Sequence, residues 1–172
     1  MSAGPIVVGE DNVDVIFDNT AAPSTAGHNS WGWDLAFDKQ NNPVVTYATF
    51  VQPPGGPTDG SQDVHQYHYA RWTGSSWLDR TLVSNAGGHI SNLSSGPDLE
   101  YWYSGGIEID PVDPNILYLS RKVNGQFELE QWKTADSGAT WSTLSITSTP
   151  GLEDVRPFVP PTVRRTSKWS FG

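Results

Sequence analysis

The sequence has no cysteine, so neither a disulfide framework nor a thiolate metal site is available, and the fold must stand on packing alone. Basic residues are scarce: 10 Lys and Arg stand against 19 Asp and Glu, a formal net charge of −9. Duplex nucleic acid is excluded as a partner, because neutralising phosphates needs clustered cations. An acidic sugar polymer is not excluded, since screening acts over about 8 Å at physiological salt and a local Arg or His cluster outweighs a distant acidic surface. Nowhere do about 18 apolar residues run together, and Met1 to Glu10 has neither a basic region nor a useful apolar run. No membrane span and no export leader are expected in this sequence.

What is abundant points one way. The chain of 172 residues carries 8 Trp, 6 Tyr and 6 Phe beside 17 Gly and 13 Pro, which favours short strands and tight turns over long helices. An all-β class is expected. A weak internal repeat refines it. The first copy reads Leu35 to Asp38, a turn through Pro43, the strand Val44 to Tyr47, then Tyr69 to Trp72 and the turn Thr73 to Trp77. The second runs Gly106 to Asp110, a turn to Asn115, the strand Ile116 to Leu119, then Glu130 to Trp132 and the turn Thr134 to Trp141. Equivalent points lie about 65 residues apart, which suits a four-stranded propeller blade with loop insertions. At that period the chain holds two to three blades, fewer than the roughly four to eight that close a propeller. The expected architecture is therefore a partial β-propeller over residues 1–159, a fragment of a larger one, followed by an irregular tail over 160–172. Its missing blades are expected partners, and without them the open sheet faces should aggregate or pair.

Thr134-Ala135-Asp136-Ser137-Gly138-Ala139-Thr140-Trp141 resembles the Asp box, the S/T-x-D-x-G-x-T-W hairpin of sialidase-type and related propellers. The resemblance implies a structural hairpin at the blade periphery, with Thr134, Asp136, Gly138 and Trp141 as its defining residues. The stretches Gly27 to Asp38, His65 to Trp77 and Tyr101 to Arg121 look like the BNR-repeat propellers that include ulvan-lyase-like polysaccharide lyases. That resemblance implies a secreted or periplasmic protein that cleaves uronate-containing polysaccharide by β-elimination. His and Tyr would serve as base and acid, and an Arg would hold the substrate carboxylate. No cofactor is implied, although structural Ca²⁺ occurs in the family.

Elimination removes the proton beside the carboxylate and expels the glycosidic oxygen, so it needs a cation, a base and an acid. Arg121 is the candidate neutraliser, because its planar fork grips a carboxylate in bidentate fashion; a structural ion pair is the alternative. Tyr103, ahead of the small residues Ser104 to Gly106, is the candidate proton carrier, with a tyrosine capping the blade core as the alternative and Tyr101 as its substitute two residues away. His28, in a Gly/Asn/Ser loop, suits base work near neutral pH, or is merely exposed. His65 and His68 are expected on opposite faces of a strand and so cannot share one metal, and no metal site is expected. His65, Tyr67, Tyr69 and Arg71 share one face, either lining a sugar groove or packing between blades. His65, His68, Trp31 and Tyr101 are the candidate substrate-binding residues.

Two other classes compete. Glu128 and Glu130, about 7 Å apart on one side of a strand, are spaced for a glycoside hydrolase, with two solvated glutamates on an outer strand as the bland alternative. The F/Y-R-I-P signature of sialidases is absent. Asp110, Asp113 and Asp136 fall in turns where Asp normally bonds its own backbone instead of Ca²⁺. A non-catalytic glycan-binding propeller would use the same aromatics to stack on sugar faces.

Overall fold

A computed structural model of the protein describes residues 16–17, 28–88 and 103–160. The described residues form two four-stranded antiparallel sheets and no helix, in agreement with the all-β expectation. In the first sheet β1 (His28–Phe37), β2 (Pro43–Val51), β3 (Val64–Trp72) and β4 (Trp77–Val83) follow one another in space as in sequence. The second repeats the plan with β5 (Ile107–Ile109), β6 (Ile116–Val123), β7 (Gln126–Lys133) and β8 (Ser142–Ser145).

The turns follow from local chemistry. Between β1 and β2, Asp38 accepts hydrogen bonds from the amides of Gln40 (2.9 Å) and Asn42 (2.8 Å), an arrangement that closes the reversal without long-range help. Asp110 does the same between β5 and β6, accepting from Val112 (2.9 Å) and Asp113 (3.0 Å). Asn124 and Gly125 both have positive φ, 53° and 89°, which is the two-residue hairpin conformation that matches strand twist.

One face of each sheet is turned to the other sheet, and residues of the opposite face, such as Tyr47, Thr49 and His68, are buried as well. Val44, Ala48 and Phe50 of β2 and Tyr67 and Tyr69 of β3 meet Ile107, Ile109, Leu117 and Leu119 of the second sheet in one buried cluster. Each Val, Ile, Leu or Phe side chain among them contributes about 1.5–3 kcal/mol by leaving water. The two buried tyrosines also tie the sheets by their hydroxyls. Tyr67 Oη donates to the Ser120 carbonyl (2.8 Å) and accepts from the Gly106 amide (3.1 Å), while Tyr69 Oη donates to the Pro114 carbonyl (3.2 Å). Gly138 is required where it stands. It has φ +87°, and a Cβ there would come within 2.9 Å of the Tyr69 ring.

The first strands of the two sheets, β1 and β5, lie against each other. Asp34 of β1 accepts from the Ile109 amide at 2.8 Å, and Trp33 Nε1 donates to Ser104 Oγ at 3.1 Å. The relation is then repeated one step on. The segment after β8 returns along β5, with the Arg156 amide donating to the Gly105 carbonyl (2.7 Å) and the Ser120 hydroxyl to the Asp154 carbonyl (2.6 Å). Glu108 of β5 accepts from the Val159 amide, as Asp34 accepts from Ile109. Each first strand thus offers a carboxylate to the backbone that follows it inward, satisfying an otherwise unpaired edge amide.

The strands give the molecule two ends. The turn end gathers the Asp38 and Asp110 turns and the hairpins that join β3 to β4 and β7 to β8. The loop end gathers residues 52–63, 84–88, the Asn124–Gly125 hairpin and the segment after β8.

Candidate functional site

At the turn end the hairpin from Thr134 to Trp141 satisfies itself. Thr134 Oγ1 donates to Asp136 Oδ1 (2.8 Å) and accepts from the amides of Asp136 (3.2 Å) and Gly138 (2.9 Å). Asp136 accepts from the Thr140 hydroxyl (2.6 Å) and amide (2.8 Å). These donors, the Thr140 hydroxyl first, hold the Asp136 carboxyl down to about 2. Trp141 Nε1 donates to the Gly138 carbonyl (3.1 Å), and its ring meets Tyr69 edge-on at 5.3 Å, across the gap between the sheets. Such a closed network supports structure.

The His65–Arg71 stripe falls between the sheets. His65, Tyr67 and Tyr69 are fully buried, His65 edge-on to Phe50 at 4.7 Å, and Arg71 bonds Asp38 (2.9 Å) and Asn115 (2.7 Å). Of the two roles open to this stripe, inter-sheet packing is the one the contacts describe. His68 sits on the opposite face, stacked on Tyr47 at 4.6 Å with Thr49 Oγ1 3.0 Å from its Nε2, while Tyr47 Oη donates to Asp79 (2.7 Å). Burial holds the His68 imidazole below its ordinary value, an effect that the Asp79 charge partly offsets. Burial, and then the Asp79 carboxylate, push the Tyr47 hydroxyl up.

Tyr103 and Arg121, two of the three candidate catalytic residues, have separate surroundings. His28 begins β1 opposite Val51; its side chain and all of Tyr101 lie outside the described residues. Trp31, opposite Ala48, is 56% exposed. Arg121 is a bidentate partner of Glu130, Nε to Oε2 at 2.8 Å and Nη2 to Oε1 at 2.9 Å, so its fork already holds a carboxylate. No hydrogen bond joins Arg121 to Tyr103 among the described residues. Tyr103 instead lies under the guanidinium of Arg156, 4.4 Å from its ring centroid. Arg156 is exposed, has φ 57°, a left-handed conformation that a non-glycine residue adopts only at a cost, and forms no ion pair among the described residues. Sequence reasoning missed it because the segment around it has no strand periodicity.

The solvated placement of Glu128 and Glu130 is corrected. Both are buried, at 7% and 8% exposure, on the face of β7 whose cross-strand neighbours include Leu119 and Leu117. The alternation of an amphipathic strand puts them there, because the side they share is the one turned to the other sheet. Along this face the environment changes in steps. Trp132 packs on the core, and its Nε1 donates to Glu130 (2.8 Å), which also holds Arg121. Glu128 accepts from Thr147 Oγ1 (2.6 Å) and the Thr149 amide (3.2 Å), and it forms part of the wall of a pocket of ≈ 230 Å³ at the loop end. Asn124, Gln126, Ser145 and Ser148 line the same pocket. No group of three or more His, Asp or Glu side chains that could hold a metal occurs among the described residues, and no described helix is long and apolar enough to cross a membrane.

Fold and contacts together define an all-β protein of repeated antiparallel sheets with a polar pocket at one end. Among known proteins the chain is similar to part of a xyloglucanase from Paenibacillus sp., 30% identical over an alignment of 166 residues, with 85% of this chain covered. The chain spans about 15% of the length of that curated relative. No family model matches the chain. No solved structure matches it.

Proposed function

We propose that the chain is two blades of a larger β-propeller in a carbohydrate-active protein that works outside the cytoplasm, and that the larger protein hydrolyses a neutral polysaccharide. One observation carries the proposal: the similarity to a xyloglucanase covers 85% of the chain, too much to be confined to one sheet. The meander order of both sheets, with β1 against β5 and residues 153–159 continuing the series, supports the propeller geometry. Hydrolysis needs one carboxyl group held protonated and a second held ionised. Glu108 has the environment of the first, since burial, and then the charge of Asp34, raise its carboxyl above the ordinary value. Asp34, which accepts from the amides of Leu35 (2.7 Å) and Ile109 (2.8 Å), is the neighbouring carboxyl group that would pair with it.

Elimination at a uronate is a second reading, favoured by one feature: Tyr103 carries on its ring a cation with no carboxylate partner among the described residues. In that case Arg156 would take the neutralising role considered for Arg121, with Tyr103 as acid and His28 as base. Incubating the protein with xyloglucan and with a panel of uronate polymers separates the two. New reducing ends without ultraviolet absorbance of an unsaturated product, lost in Glu108→Gln, support hydrolysis. Absorbance lost in Tyr103→Phe and Arg156→Ala supports elimination. Failure to bind or cleave any polysaccharide overturns both.

A further inference from the structure

The pocket at the loop end of the second sheet is built for a particular kind of ligand. Its size, ≈ 230 Å³, lies below the roughly 300–1,000 Å³ of sites for drug-sized molecules and suits one sugar ring. Its polar walls come from three places: the β6–β7 hairpin supplies Asn124, β7 supplies Gln126 and Glu128, and the chain at and after β8 supplies Ser145 and Ser148. Asn124, Gln126 and Ser148 have side chains with no hydrogen bond among the described residues, whereas Asp38, Asp110, Thr134 and Asp136 at the turn end are each bonded within their own turn. Glu128 is fixed by Thr147 and Thr149, one donor to each oxygen, which leaves each oxygen an unused lone pair. Val123 and Pro150 add apolar surface of the sort that receives the C–H side of a pyranose.

Charge narrows the ligand further. Arg121, the cross-strand partner of Glu128, is committed to Glu130. Lys122 lies on the opposite face of the sheet, over the Phe127 ring at 5.3 Å. A uronate carboxylate in the pocket would therefore meet Glu128 with no cation to offset it. We infer that this pocket is a subsite for one neutral pyranose residue of a polysaccharide, with Glu128 accepting from its hydroxyls and Asn124, Gln126 and Ser148 completing the polar contacts. The inference rests on the carbohydrate reading given above and specifies where in the chain, and for which class of sugar, that reading holds.

Calorimetric titration of the whole chain with xyloglucan oligosaccharide, methyl glucopyranoside and methyl glucuronopyranoside tests it. Asn124→Gly combined with Gln126→Ala keeps the positive φ of the hairpin and removes two polar contacts, so affinity for the neutral ligands should fall about tenfold with thermal stability unchanged. Glu128→Gln keeps the shape and removes the charge; it should abolish the preference for the neutral over the acidic glycoside. Undiminished oligosaccharide binding in both variants overturns the subsite while leaving the carbohydrate reading in place. No binding of any of the three ligands by the unaltered chain overturns the carbohydrate reading itself, and the subsite with it.

Discussion

The two ends of the second sheet are made of similar polar residues put to opposite use. At the turn end Asp110, Thr134 and Asp136 accept from or donate to groups within five residues, and the hairpins close on themselves. At the loop end Asn124, Gln126 and Ser148 make no hydrogen bond with the described residues, and a buried carboxylate stands beside them. Polar groups that satisfy one another fix a conformation; polar groups left open beside a cavity are available to something else. In the second sheet the difference separates the part that holds the fold from the part that offers a surface.

Substitutions can break or sharpen that division. The largest effect is expected between the ends, at the ion pair that divides core from pocket. Arg121→Ala leaves Glu130 without its fork and should lower stability by about 2 kcal/mol, a loss that Glu130→Gln in the same chain partly restores; denaturant unfolding of the single and double variants measures it. Were Arg121 a substrate group only, stability would not change. A smaller loss, about 1 kcal/mol, is expected for Thr134→Val at the turn end, where the hydroxyl serves the Asp136 and Gly138 amides. Sugar binding should be unaffected by that change.

Strong acid should loosen the Thr134–Trp141 hairpin. The Asp136 carboxyl is depressed to about 2 from an ordinary 3.8, so its contribution is fully present above pH 3.8 and is lost as pH falls through 2. Carbon-detected titration of the Asp136 carboxyl should show that midpoint, and an ordinary midpoint would mean that the hairpin is open in solution. His68 acts earlier and on the other face of the first sheet. With its imidazole held below 6.5, its contribution is present above pH 6.5 and is lost as pH falls through the lowered value.

The turn end could be read from sequence because its chemistry is local: Asp38 with Asn42, or Asp136 with Thr140, lie within a few residues, and spacing alone implies the bond. The class of fold was legible for the same reason, from the turns and the alternation between them. The pairing of Arg121 with Glu130 was not, because it runs diagonally across β6 and β7, whose register sets Arg121 opposite Glu128. Neither was the burial of Glu128 and Glu130, which depends on which face meets the first sheet. The pocket escaped notice because three separate segments build it. Only Asn124–Gly125, a hairpin signal between two alternating runs, hinted that those segments would meet.

Backbone amide mapping of the whole chain against a neutral oligosaccharide tests the division of labour most directly. The account predicts shifts concentrated at residues 124–128 and 145–149, with the turns at 38–42, 110–115 and 134–141 unmoved. Shifts centred on the turn end, or on the buried stripe from His65 to Tyr69, would contradict it.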